Sequence, residues 1–100
     1  MKNFRSFQLA VTFYKQCQNM TLPHHLRDQL LRASSSIALN LAEARGKATL
    51  KDQLRYFHIS LGSIRECEAI LILHGKANKE MTDTLDHLAA SVYKLIKNAR

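Results

Sequence analysis

The residues of this chain with the chemistry to hold a metal are five histidines and two cysteines, and their spacing argues against it. His24, His25 and His74 fall near Cys17 in a helical reading, but on helix ends and without an i, i+4 pair of histidine or cysteine ligands, the arrangement by which a helix presents a zinc site. Cys17 and Cys67 stand fifty residues apart on different predicted helices, which is neither a metal motif nor a disulfide framework, and both read as buried free thiols. His58 and His87 read as interface or surface residues. Ser34, Ser35 and Ser36 have no adjacent base and no nucleophile elbow, and Gly46 stands without the second glycine of a phosphate loop. No catalytic residue, metal or cofactor is expected, and the chain does not read as an enzyme. Glu68 is the carboxylate that needs an explanation. It falls on an apolar helix seam, where a lone charge is costly to bury, so it calls for Arg32 or Arg65 as a partner. Asn40 and Glu43 then extend a structural polar network or place it at a subunit interface.

The element that carries Glu68 is the stretch Thr49 to Leu73. A spacing of four and three sets Leu50, Leu54, Phe57, Leu61, Ile64, Glu68 and Leu71 on one stripe, with Tyr56, Ser60, Ser63, Cys67 and Ile70 beside it. Apolar and small residues thus cover more than half of this helix, which requires neighbours on two sides. Thr49 with Asp52 three positions on makes an acidic variant of a capping box, and Gly75 marks a left-handed end. The spacing predicts a first helix from about Phe4 to Cys17, with Phe7, Ala10, Val11, Tyr14 and Cys17 inward and Phe4 and Phe13 near its edges. A second helix starts around Pro23 and buries Leu26, Leu30, Ala33, Ile37, Asn40 or Leu41, and Ala44. A fourth runs from about Thr82 to Asn98 with Leu85, Leu88, Ala89, Val92, Leu95 and Ile96 inward. Short connections between four such helices make an all-α, antiparallel up-down-up-down four-helix bundle the expected architecture, a single domain over residues 1–100.

That topology sorts the charge. Fifteen lysines and arginines face eight acids, a formal +7, and the excess is not spread evenly. Lys2, Arg5, Arg45, Lys47, Lys51, Lys94, Lys97 and Arg100 fall at the end shared by both termini and the turn between helices two and three, against only Glu43 and Asp52, a net of +6. At the opposite end Lys15, Arg27, Lys76 and Lys79 are balanced by Asp28, Glu80, Asp83 and Asp86. Such a pole suits phosphate backbone, read without sequence preference and weakened by salt. No apolar run is long enough for a membrane span and the amino terminus is amphipathic rather than a signal peptide, so the expected compartment is the cytoplasm.

Two segments carry a resemblance. S-I-A-L-N-L-A-E-A at Ser36 to Ala44 and R-Y-F-H-I-S-L-G-S-I-R-E-C-E at Arg55 to Glu68, with Q-L-L-R-A-S at Gln29 to Ser34, resemble the four-helix bundle proteins encoded in intervening sequences of bacterial 23S ribosomal RNA genes. The family often has Pro and Ser where this chain has Ala38 and Leu39, and Gly where it has Ala44, so helix two here should be straighter and a turn longer. The family's relatives include the accessory variability protein of diversity-generating retroelements, a pentameric basic bundle that binds its reverse transcriptase and nucleic acid. The resemblance implies a ring-shaped homo-oligomer, a pentamer by preference, with RNA, DNA or a nucleic-acid enzyme such as a reverse transcriptase as partner. The expected function is a non-enzymatic bundle that binds such partners through its basic pole. The alternative is an oligomeric scaffold or adaptor for a protein partner, with no nucleic-acid contact.

Overall fold

The computed structural model describes residues 4–99, and among them it contains four helices and no strand: α1 (Arg5–Gln18), α2 (His24–Arg45), α3 (Leu50–His74) and α4 (Lys79–Asn98). The long dimension is 40 Å, close to the roughly 38 Å that the 25 residues of α3 span at about 1.5 Å per residue. Each helix packs against its neighbours in sequence, and α1 also packs against α4; no Cα of α1 comes within 8 Å of one in α3.

Local chemistry sets the helix ends. The Thr49 hydroxyl accepts from the Asp52 amide at 3.2 Å and so satisfies one of the free N–H groups that open α3. Gly75 closes α3 in the left-handed region, at φ 76°, its amide donating to the Leu71 carbonyl at 2.9 Å. Pro23 stands just outside α2, where its missing N–H costs nothing, and α2 continues unbroken through Ala44 as the replaced proline and glycine of the related motif lead one to expect. The fourth helix starts three residues earlier than its apolar periodicity predicts. Asn78 Oδ1 accepts from the Met81 amide at 2.8 Å, and that cap draws Lys79, Glu80 and Met81 into the first turn.

The core is one cluster fed by all four helices, led by Phe13 from α1, Leu30, Ile37 and Leu41 from α2, Ile64 from α3, and Met81, Leu88 and Val92 from α4. Two stripes are rotated from their sequence-based setting. In α1 the buried positions are Ser6, Ala10, Phe13 and Cys17, while Phe7, Val11 and Tyr14 are half-buried. Ser6 takes an inner position with its hydroxyl bonded to that of Ser91 on α4, so a polar residue stands where the two helices meet. In α3 the buried line is Phe57, Ser60, Ile64, Cys67, Ile70 and Leu71; Leu54, Leu61 and Glu68 are half-buried and Leu50 is exposed. The seam splits lengthwise: Phe57, Ile64 and Leu71 keep its buried side, while Leu54, Leu61 and Glu68, alternating with them, fall on a half-buried flank, so the core line is centred toward Ser60 and Cys67.

Helices α2 and α3 approach through small residues. Ser60 Oγ donates to the Ile37 carbonyl at 2.6 Å, and Ser63 Oγ donates to Ser36 Oγ at 2.9 Å. Arg32 meets Glu66 one turn further along, so partners fall in number on α3 as they rise on α2. The same reversal holds between α1 and α4, where Ser6 meets Ser91 and Gln16 meets Thr84. Cys17 and Cys67 lie fully buried on α1 and α3, and with Cα atoms more than 8 Å apart they are beyond disulfide reach.

Glycine substitutions separate backbone strain from packing in α3. Gly75→Ala forces a Cβ into the left-handed region and should cost about 1 to 2 kcal/mol in denaturant unfolding. Gly62→Ala adds a Cβ that meets nothing within 4 Å and should stabilise by up to about 1 kcal/mol, because it removes backbone freedom from the unfolded chain.

Candidate nucleic-acid interface

The turn from α2 to α3 is the most tightly organised surface segment. The Gly46 and Lys47 amides close α2 onto the Glu43 and Ala44 carbonyls at 3.1 Å, Thr49 opens α3, and Gln53 Nε2 reaches back to the Lys47 carbonyl at 3.0 Å. Lys47 therefore projects from a braced four-residue connection, Gly46 to Thr49, with Arg45 at the end of α2 and Lys51 at the start of α3 on either side of it. Arg45 lies over the Phe4 ring at 4.7 Å from its centroid, tying the end of α2 to the start of α1. Lys47 sits 5.1 Å from the Tyr56 centroid and Arg55 5.7 Å from it, so one half-buried tyrosine holds two cations.

A groove of about 570 Å³ brings the other helix ends together. Phe4, Arg5 and Ser6 of the α1 start, Gln53 and Phe57 of α3, and Ser91, Lys94, Leu95, Asn98 and Ala99 of the α4 end line it. Arg5 and Lys94, distant in sequence, thus share one depression. Lys51, in the first turn of α3, and Lys97, in the last turn of α4, are exposed. Lys2 and Arg100 lie outside the described residues. The remaining Arg5, Arg45, Lys47, Lys51, Lys94 and Lys97 face Glu43 and Asp52, six cations to two carboxylates. Among the described residues Lys47 is the member of this set that forms an ion pair, with Glu43 at 3.2 Å; that hydrogen bond, with Tyr56 nearby, pushes the Lys47 pKa up. Tyr56 and Gln53 join this end through their contacts with Lys47, and Arg55 joins it through Tyr56.

At the opposite end Lys79, His24 and Arg27 are engaged within the protein. Lys79 pairs with Asp83 at 2.8 Å, His24 approaches Asp28 at 3.2 Å, and Arg27 donates to the Gln18 and Met20 carbonyls. His25, His58 and His87 are exposed and His74 is half-buried.

The polar network expected around Glu68 is distributed differently. Arg32 pairs with Glu66 at 2.6 Å, on the surface, and not with Glu68; Arg65 is exposed. Asn40 donates to the Ser36 carbonyl and hydroxyl at 2.9 and 3.0 Å, while Glu43 is held by Lys47. Glu68 is half-buried and faces a second groove with Leu71, Ile72, Leu85 and Asp86. The physical reason is its side of the seam: Glu68 shares the half-buried flank of Leu54 and Leu61, while the seam positions before and after it, Ile64 and Leu71, are buried, so its carboxylate keeps access to solvent.

Burial is the main influence on the two thiols. It pushes Cys17 up to about 12 against a weaker, opposing hydrogen bond from Ser34, and it pushes Cys67 up as well.

A family model described as 23S rRNA-intervening sequence protein matches residues 3–99. No curated protein and no solved structure shows significant similarity to the chain.

Glu68→Gln should shift unfolding free energy by no more than about 0.5 kcal/mol, and a double-mutant cycle on Arg32 and Glu66, whose side chains are 65% and 40% exposed, should give under about 1 kcal/mol. The thiols should resist an aromatic disulfide reagent at pH 8 in the native state and react in denaturant. Because both are held protonated when folded, their contribution to stability is intact below the ordinary thiol value of 9.0 and is lost as pH rises above it. Each thiol should contribute up to about 1.4 kcal/mol per pH unit to that decline, which the Cys17→Ala, Cys67→Ala double variant should flatten.

Proposed function

Because the chain belongs to the 23S rRNA-intervening sequence protein family, we propose that it is a non-enzymatic helical bundle that binds the phosphate backbone of nucleic acid, free or held by a nucleic-acid enzyme such as a reverse transcriptase, through its basic pole. The reading takes the four helices as up-down-up-down, supported by the reversed numbering of partners across α2 with α3 and α1 with α4. The observation that carries it is the segregation of charge: six described cations share one pole with two carboxylates, Glu43 and Asp52, and a single ion pair among them, while at the other pole cations and acids balance and Lys79 and His24 have aspartate partners. In this topology two helix amino ends and two carboxyl ends share the pole, so their dipoles largely cancel and the side chains set the field.

Assembly as a ring-shaped homo-oligomer, a pentamer by resemblance, would repeat the pole around an axis and turn a modest charge into a large one-sided surface. Its support is the outer surface, where Leu39 is 66% exposed on α2 and Ile59 41% exposed on α3. The second reading is an oligomeric scaffold whose outer faces hold a protein partner without nucleic acid, and the same exposed leucine and isoleucine favour it.

Binding of a labelled RNA hairpin and a DNA duplex, with molar mass measured on the same sample, separates the two. If six phosphates are contacted, affinity should fall about a thousandfold between about 50 and 200 mM salt. Lys47→Glu, Lys51→Glu and Lys97→Glu together should remove binding and leave the helical signal unchanged. Unchanged affinity in this triple variant overturns the basic-pole reading, and a monodisperse monomer at micromolar concentration overturns the ring.

A further inference from the structure

The groove between the end of α3 and the start of α4, away from the basic pole, combines open apolar surface with free carboxylates. Leu71 and Leu85 are buried beneath it, but Ile72 on its rim is 78% exposed and the adjacent Leu73 75%, the most open large apolar side chains among the described residues. Glu68 from α3 and Asp86 from α4 line the same groove, and among the described residues neither forms an ion pair. Cations nearby leave them free. Arg65, one turn before Glu68, is exposed and pairs with neither, Lys79 is held by Asp83, and Lys76 lines a different depression with His74 and Asn78. The basic pole lies toward the other end of a body 40 Å long, beyond the roughly 10 Å over which charges interact at 0.1 M salt, so the two carboxylates set the local field.

The apolar surface continues beyond the groove. Tyr93, also exposed, follows Asp86 on the same face of α4 two turns later, about 10 Å at 1.5 Å per residue, with half-buried Ala89 between them. A small amine would satisfy the carboxylates and leave this run uncovered. An acyl chain would cover the run and bring no counter-charge, and a nucleic-acid strand would be repelled. A helix with apolar residues three and four apart and a lysine or arginine one turn from them matches both features. We propose that this groove docks a basic amphipathic helix of a partner protein, its apolar face on Ile72 and Tyr93 and its cations on Glu68 and Asp86. The proposal depends on neither the basic-pole reading nor the ring, and it leaves the opposite pole free for a polyanion.

The test is selection from a displayed library of helical peptides of about 18 residues, five turns, randomised in charge on one face. The library is first cleared on the Ile72→Gln, Tyr93→Gln variant, which keeps the basic pole and, because both side chains are exposed, the fold; thermal unfolding checks that. Peptides then retained by the natural chain should carry lysine or arginine beside apolar positions three and four apart. Unspecific attraction to a chain of formal charge +7 would enrich acidic helices instead, so the sign of the selected charge is diagnostic. Glu68→Lys and Asp86→Lys together should weaken a retained peptide about tenfold or more, since two exposed ion pairs become repulsions. An empty selection, acidic peptides, or affinity unchanged by the charge reversal overturns the proposal. So does a molar mass that falls from oligomer to monomer in the Ile72→Gln, Tyr93→Gln variant, which would make a second copy of the chain the occupant.

Discussion

The hydrogen bond from Ser60 to the Ile37 carbonyl, 2.6 Å long and fully buried, sets how closely α2 and α3 can lie. A hydroxyl taken out of water must be satisfied or it costs on the order of 1 to 3 kcal/mol, so this serine requires the neighbouring backbone at hydrogen-bond distance. Ser36 and Ser63 repeat the demand one turn nearer the surface, with Asn40 completing the acceptor. Packing the two longest helices on serines instead of leucines fixes their register, since a slip of one residue would strand the hydroxyls. The position of the short Gly46–Thr49 connection follows from that register, and with it the place where Arg45, Lys47 and Lys51 emerge.

Gathering cations at one end opposes folding, and the structure offsets the repulsion with aromatic faces more than with acids. Phe4 underlies Arg45, and Tyr56 serves both Lys47 and Arg55. Cation–π contacts of about 0.5 to 1 kcal/mol each hold a cation in place without cancelling its charge, as a carboxylate would. The difference matters for the proposed function, because phosphate binding depends on the surface remaining positive. At the other end, where Lys79 and His24 have aspartate neighbours, no such restraint operates.

Helix identity and most boundaries were legible in the sequence because they follow from nearest-neighbour chemistry: Thr49 and Asp52 open α3 and Gly75 closes it. The start of α4 was not, since Asn78 lies inside a polar run with no apolar period to betray a cap. Facing was harder. Ser60, set on a covered stripe of α3 by its spacing and small size, is buried as expected, but hydrophobicity cannot signal that Ser6 belongs inside while Leu50 lies exposed. Glu68 falls on the seam by its spacing, but spacing does not tell the buried side of the seam, Phe57, Ile64 and Leu71, from the half-buried flank that Glu68 shares with Leu54 and Leu61. The pole itself could be read from charge once the topology was assumed. The groove could not, because Phe4, Phe57 and Leu95 meet only after three helices have packed.

One consequence of this charge arrangement concerns approach to a partner more than contact with it. A rod 40 Å long with its uncompensated charge at one tip has an electric dipole moment along its axis. In the field of a polyanion such a body experiences a torque before it touches anything, and at separations comparable to the Debye length, about 10 Å at 0.1 M salt, it turns its tip forward. For the proposed nucleic-acid partner, encounters would then be productive over a wider range of starting orientations, so the placement of the charge should raise the association rate even where the same charge, spread evenly, would give equal affinity.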